Sequence, residues 1–144
     1  MEDSIPADRV LLDTHVFIWL MNGMSELEHA PARREIEEAS ESGALLLCSI
    51  SLFETAVFTR QGRVRPSLPL RDWFSSGVET PGLRLVPLDA DLAVEAAALP
   101  GEFPGDGADR LIVAAARLAH ARLVSADRRL QEYAAAGHVR FLAV

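Results

Sequence analysis

The sequence predicts an α/β fold built on a parallel β-sheet. Three observations predict it. Short apolar runs alternate along the chain with longer helical segments, the order produced by parallel strands joined through crossover helices. The runs Val10-Leu11-Leu12, Leu45-Leu46-Leu47-Cys48 and Leu123-Val124 are continuous, as strands covered on both faces must be. Turn residues fall at the joints: Gly23, Gly43, Gly62 and Gly137 close helical segments, and Pro31 and Pro69 open them.

In chain order, the strand candidates are Arg9–Leu12, Ala44–Ser49, Leu83–Leu88, Leu123–Ser125 and Val139–Val144. The helix candidates are Thr14–Asn22, Pro31–Ser42, Ser51–Gln61, Leu70–Glu79, Asp91–Leu99, Asp109–Ala121 and Asp127–Ala136. The conspicuous loop is Pro100–Gly107, just ahead of Asp109. The 144 residues are expected to form a single domain, residues 1–144, in which residues 1–8 are a flexible N-terminal extension.

Composition narrows the function classes. With 49% hydrophobic residues the chain can bury a real core. No apolar run approaches the roughly 18 residues of a membrane span, and the start Met1-Glu2-Asp3-Ser4 lacks a signal peptide's basic, then apolar, pattern. A cytoplasmic location with no membrane association is therefore expected. One cysteine, Cys48, allows neither an internal disulfide nor a cysteine-based zinc site, and it reads as a small buried hydrophobe. The net charge of −7 argues against nonspecific nucleic-acid binding through a broad basic surface. All fourteen basic residues are arginine. The absence of lysine removes the P-loop. It also removes receiver-type and haloacid-dehalogenase-type chemistry, both of which pair strand-end aspartates with a lysine. No HExxH and no GxGxxG follow the strands.

What remains is acidic. Asp13, Glu54, Asp109 and Asp127 each mark a junction where a buried strand is expected to hand over to a helix. In a parallel sheet these junctions converge on one edge, where ligands bind. Carboxylates gathered there repel one another unless a cation sits among them, which points to Mg²⁺ or Mn²⁺. Each acid also has a purely structural reading. Asp13 and Asp127 can cap the helices they precede. Ser51-x-x-Glu54 has the spacing of a capping box, and Asp106-x-x-Asp109 has capping spacing with Asp106 as the cap. Asp109 is preferred as the functional acid, with Asp106 structural or accessory. Asp89 and Asp91 show that acids are frequent at helix starts in this chain generally.

His29, His120 and His138 are read as surface or element-end residues, and His15 either faces the site or merely begins a helix, with the second preferred. Arg60, Arg63, Arg65 and Arg71 form a basic segment after the Glu54 helix, a candidate phosphate-contacting rim that Arg110, Arg128 and Arg129 could extend. The stretch Val16–Met21 is apolar all round, so one face is expected to meet another protein.

At Leu11-Leu12-Asp13-Thr14-His15, Ser49-Ile50-Ser51-Leu52-Phe53-Glu54, Ala108-Asp109-Arg110-Leu111-Ile112 and Leu123-Val124-Ser125-Ala126-Asp127, the chain resembles the PIN-domain ribonucleases. The resemblance is to the VapC-type toxins of type II toxin–antitoxin pairs, and it runs from Val10 to Val144 in the right order. It implies a PIN-like three-layer α/β/α sandwich with a central, mainly parallel sheet. The family's acidic quartet falls on Asp13, Glu54, Asp109 and Asp127, and its small polar residue near the last acid on Ser125. Relatives often carry Asp-Pro where this chain has Asp106-Gly107, which leaves the place of Asp106 open. The implied activity is metal-dependent endonucleolytic hydrolysis of RNA, with one or two Mg²⁺ or Mn²⁺ ions and RNA contacts from Arg60, Arg63, Arg65, Arg110 and Arg128. The implied partners are RNA, a cognate antitoxin lying near the first helix and the Phe53–Phe58 helix, and a second copy in a homodimer, forming a heterotetramer or larger assembly with the antitoxin. The alternatives are a non-cleaving PIN-type binding module for RNA or protein, and another Mg²⁺-dependent phosphoesterase.

Overall fold

The computed structural model describes residues 8–23 and 25–144. The extension expected over residues 1–8 therefore lies, apart from Asp8, outside the described residues. Among the described residues, five strands form one sheet: β1 (Val10–Leu12), β2 (Leu45–Cys48), β3 (Leu83–Val86), β4 (Arg122–Ser125) and β5 (Arg140–Ala143). Their order is β3-β2-β1-β4-β5, and every neighbouring pair is parallel. Seven α-helices connect them: α1 (Thr14–Asn22), α2 (Ala32–Ser42), α3 (Ile50–Arg60), α4 (Leu70–Val78), α5 (Ala90–Ala97), α6 (Gly107–Leu118) and α7 (Arg128–Ala135). A short 3₁₀ turn at Ser25–Leu27, absent from the expected elements, lies between α1 and α2.

The period of two along each strand sorts the apolar runs into two cores. Leu11, Leu46, Cys48 and Leu123 face one layer, where they pack with Leu92 and Ala96 of α5, Ile112 to Ala116 of α6, and Leu130 and Tyr133 of α7. Val10, Leu12, Leu45, Leu47 and Val124 face the other, with Val16, Phe17 and Ile18 of α1, Ile36 and Ala39 of α2, and Trp73 of α4. A continuous apolar strand is thus two interleaved core faces, and the result is a three-layer α/β/α sandwich. Helix α1 uses most of its apolar circumference in this way: Val16, Phe17 and Ile18 are buried, while Trp19, Leu20 and Met21 stay half-buried at its outer end. Cys48 is fully buried, as expected.

The approach to β3 needs glycine. Gly82 has φ +80°, and a Cβ there would lie 1.8 Å from the Ser40 carbonyl oxygen at the end of α2. Among the described residues, no helix is long and apolar enough to cross a membrane.

The strand order reverses around β1, since β2 flanks it on one side and β4 on the other. A reversal of this kind leaves a crevice at the C-terminal ends of the strands. Asp13 follows β1 directly, and Asp127 lies two residues beyond β4, so the first and last acids flank that crevice.

Candidate functional site

Asp13 caps α1. One carboxylate oxygen accepts the Thr14 N–H at 2.8 Å, and the other accepts the Ser125 hydroxyl at 2.6 Å. The Ser125 oxygen in turn accepts the Asp127 N–H at 3.0 Å. One buried serine at the end of β4 therefore reaches Asp13 across 112 positions of chain and ties it to Asp127.

Glu54 is held differently from the capping box that its spacing suggests. Helix α3 starts at Ile50 and has Ser49 at its cap position with no side-chain capping bond, so Ser51 lies inside the helix. Glu54 accepts the Thr14 hydroxyl at 2.5 Å, and the Thr14 and Ser51 hydroxyls are 2.8 Å apart. A hydroxyl has one proton to give. Thr14 spends its own on Glu54, so Ser51 donates to Thr14. Ser51 and Glu54 thus share a partner on α1 instead of capping α3.

The Asp106–Asp109 spacing does form a reciprocal capping box at the start of α6. The Asp109 N–H donates to Asp106 at 2.9 Å, and the Asp106 N–H donates to the Asp109 carboxylate at 3.2 Å. Both acids keep oxygens available. Glu54, Asp106 and Asp109 each offer one within 4.8 Å of the others. Asp106 stands in the acid cluster as well as capping the helix. Gly107 takes up the first position of α6, so its freedom does not unseat the turn.

A cavity of about 450 Å³ opens over these groups. It is lined by Asp13, Glu54, Asp106, Asp109 and Asp127, and by Thr14, His15, Trp19, Phe58, Arg63, Ala126 and Arg129. Of the arginines expected at the rim, Arg63 and Arg129 line the cavity, and Arg60, Arg65, Arg71, Arg110 and Arg128 do not. The Arg110 guanidinium is engaged elsewhere, 3.1 Å from the Ala96 carbonyl oxygen and 5.3 Å from the centre of the Phe103 ring. His15 is not merely a helix-start residue, because its exposed ring faces the cavity.

Two residues take more specific roles than the sequence suggests, where Arg129 stands only as an extension of the rim. The Arg129 guanidinium lies 2.8 Å from the Asp127 carboxylate and 3.7 Å from that of Asp109, and it donates to the Pro104 carbonyl oxygen at 3.1 Å. The signal was local: Asp127 caps α7 by accepting the Arg129 N–H, which turns the Arg129 side chain back over the cap. Gly105 is the other. A Cβ there would lie 2.5 Å from Asp109 Oδ2 and 2.6 Å from its Cβ, so the absence of a side chain at 105 makes room for the acid.

Burial and crowding raise the proton affinity of three acids. Asp13 and Glu54 are both pushed above the ordinary carboxylate range, first by burial. Asp109 is pushed up to about 6 by burial, with the charges of Asp106, Asp13 and Glu54 adding to it. Asp127 goes the other way, because hydrogen bonds from Arg129 stabilise its charge.

A stability effect follows. A carboxyl raised in the folded state and normal in the unfolded chain makes the folded state the stronger proton binder between about pH 4 and 6. Its contribution to stability is present below that window, falls as pH rises through it, and stays low above. Asp109→Asn removes the charge and keeps the size. In EDTA, the melting temperature of the variant relative to wild type should rise from pH 5.0 to pH 7.5. An equal gap at both pH values would show that Asp109 carries no such strain.

The donor set suits a hard divalent cation. It is all carboxylate oxygen, three of the acids are destabilised as anions, and Arg129 is the guanidinium paired with the cluster.

The PIN domain family profile matches residues 10–136. Over 124 residues the chain is 40% identical to ribonuclease VapC22 of Mycobacterium tuberculosis (strain ATCC 25618 / H37Rv), a match covering 86% of this chain and 91% of that protein. Among solved structures, the chain resembles VapBC2 from Rickettsia felis bound to a DNA fragment from its promoter, with TM-score 0.65 and 15% identity over 93% of this chain and 97% of that one. It likewise resembles DNA-bound VapBC from Salmonella typhimurium, with TM-score 0.62 and 18% identity over 94% of this chain and 98% of that one. At these identities the structural likenesses speak for the fold.

Proposed function

The chain belongs to the PIN-domain family, and from that premise we propose that it is a metal-dependent endoribonuclease, the toxin of a toxin–antitoxin pair acting in the cytoplasm. The observation that carries the reading is the convergence of five carboxylates on one cavity at the sheet's C-terminal edge. The sequence relative is named as a ribonuclease, and the structural relatives include DNA-bound VapBC assemblies and a toxin–antitoxin complex from Klebsiella pneumoniae.

In this reading Asp13, Glu54, Asp109 and Asp127 hold Mg²⁺ or Mn²⁺, with Asp106 close enough to take part. When bound there, the cation would supply acidification of a coordinated water and charge neutralisation at the phosphoryl oxygens. The chain's own residues prepare the site. Ser125 fixes Asp13, Thr14 fixes Glu54, and the capping box fixes Asp109, so each carboxylate is oriented before any ligand arrives. Arg129 offsets the charge of Asp127 and Asp109, and Arg63 at the rim offers a phosphate contact. None of the lining side chains is needed as a nucleophile. An antitoxin would take the half-buried outer end of α1, where Trp19 and Leu20 with Leu27 and Ile36 line a second cavity, and a homodimer would be the unit it binds.

Membership of the PIN-domain family implies attack by water on phosphorus with the 3′ oxygen as the leaving group, which leaves a 5′-phosphate and a 3′-hydroxyl. Fragments from a digest of total RNA should ligate to adapters through 5′-phosphates without prior phosphorylation. Fragments ending in 2′,3′-cyclic phosphate would contradict the mechanism.

A further inference from the structure

We propose that His15, Trp19, Phe58 and Arg63 form a base-binding subsite beside the acid cluster, built to take one unstacked RNA base. The proposal rests on the ribonuclease reading above and names what part of the substrate the site holds.

The four groups form a row. The Arg63 guanidinium carbon lies 4.3 Å from the centre of the Phe58 ring. The Phe58 ring lies 5.3 Å from that of His15 at an interplanar angle of 30°. The His15 ring lies 6.4 Å from Trp19 at 53°. All four line the same cavity as the acids, and His15 directly follows Thr14, the residue that holds Glu54.

Core packing accounts for only part of this row: Trp19 and Phe58 pack one side against the core of the α1 layer and keep the rest of their surface in solvent. Phe17 and Trp73, which belong to the same layer, are 1% and 2% exposed and pack edge to face at 5.8 Å. His15 is exposed, and Trp19 and Phe58 are only half-buried. Flat faces left partly in water beside a phosphodiester-cleaving centre suit a flat ligand. A nucleobase stacks on aromatic rings and on guanidinium planes regardless of its identity. The base next to a phosphate in the acid cluster must lie within one nucleotide of it, and the cavity falls within the range of about 300–1,000 Å³ typical of small-molecule sites. A base inside a duplex is stacked on both sides and cannot offer its face. The subsite therefore favours looped or single-stranded RNA over helical RNA.

The test uses ligands with no cleavable bond. Trp19 is the reporter, because the other tryptophan, Trp73, is buried. The protein in Mg²⁺ is titrated with AMP and, separately, with ribose 5-phosphate. AMP should quench the tryptophan emission and bind at least about fivefold more tightly than ribose 5-phosphate. Phe58→Leu and His15→Ala should each weaken AMP about five- to tenfold and leave ribose 5-phosphate unchanged. Equal binding of the two ligands, no binding of AMP, or AMP binding unaltered by both variants overturns the subsite. Cleavage of total RNA by the wild-type protein, measured alongside, separates the two readings. Cleavage without a base preference in the titrations removes the subsite alone, and absent cleavage removes the ribonuclease reading beneath it.

Discussion

Asp13→Asn should lower RNA cleavage by at least about 100-fold while the protein stays folded. Replacing the outer partners of metal ligands typically costs 10–100-fold, and losing a ligand's charge costs more. Asp13 is the most enclosed of the acids, 8% exposed, and its two oxygens already bind Thr14 and Ser125. Asparagine fills the same volume and can still accept one of those bonds, while Ser125 can reorient its hydroxyl towards another acceptor. The structural cost is about one hydrogen bond, roughly 1 kcal/mol. Cleavage kinetics and a thermal melt on the same preparation check the claim. A folded variant with more than a tenth of wild-type activity would remove Asp13 from the site.

Gly105→Ala should cost about 10–100-fold in cleavage, comparable to losing an outer-shell partner, although position 105 carries no functional group. The added carbon would sit 2.5–2.8 Å from Asp109 and from the Phe103 ring. Asp109 has only one carbon between backbone and carboxylate, so it cannot swing aside without leaving its bond with the Asp106 N–H. Divalent-cation affinity measured by calorimetry should fall together with activity. Unchanged affinity would mean that the loop absorbs the carbon and that the tight fit has no bearing on the acids.

The sequence and the structure agree where local rules govern. All five strand candidates and all seven helix candidates are present, displaced by at most three residues, because strand burial and Gly or Pro boundaries are encoded locally. Convergence of Asp13, Glu54 and Asp127 follows from topology, since parallel strands put successive strand exits on one edge; Asp109 departs from that expectation, because it opens α6 after α5 and not after a strand. The departures are long-range. Ser51 and Glu54 have capping spacing, but Thr14, from another helix, takes both side chains. Arg110 follows a site acid in sequence and yet binds the Ala96 carbonyl. Arg129 and not Arg128 enters the cavity, a choice set by the two-residue reach of the Asp127 cap. The role of Gly105 is a matter of fit against a neighbouring side chain, and no residue pattern announces it.

The central claim is that the clustered acids act by holding a divalent cation over an RNA phosphate. It is tested most directly by incubating the purified protein with total RNA in Mg²⁺ or Mn²⁺, then adding EDTA in excess, then restoring the cation. Cleavage should proceed, stop on chelation and resume on restoration. Cleavage that continues undiminished in EDTA would contradict the account.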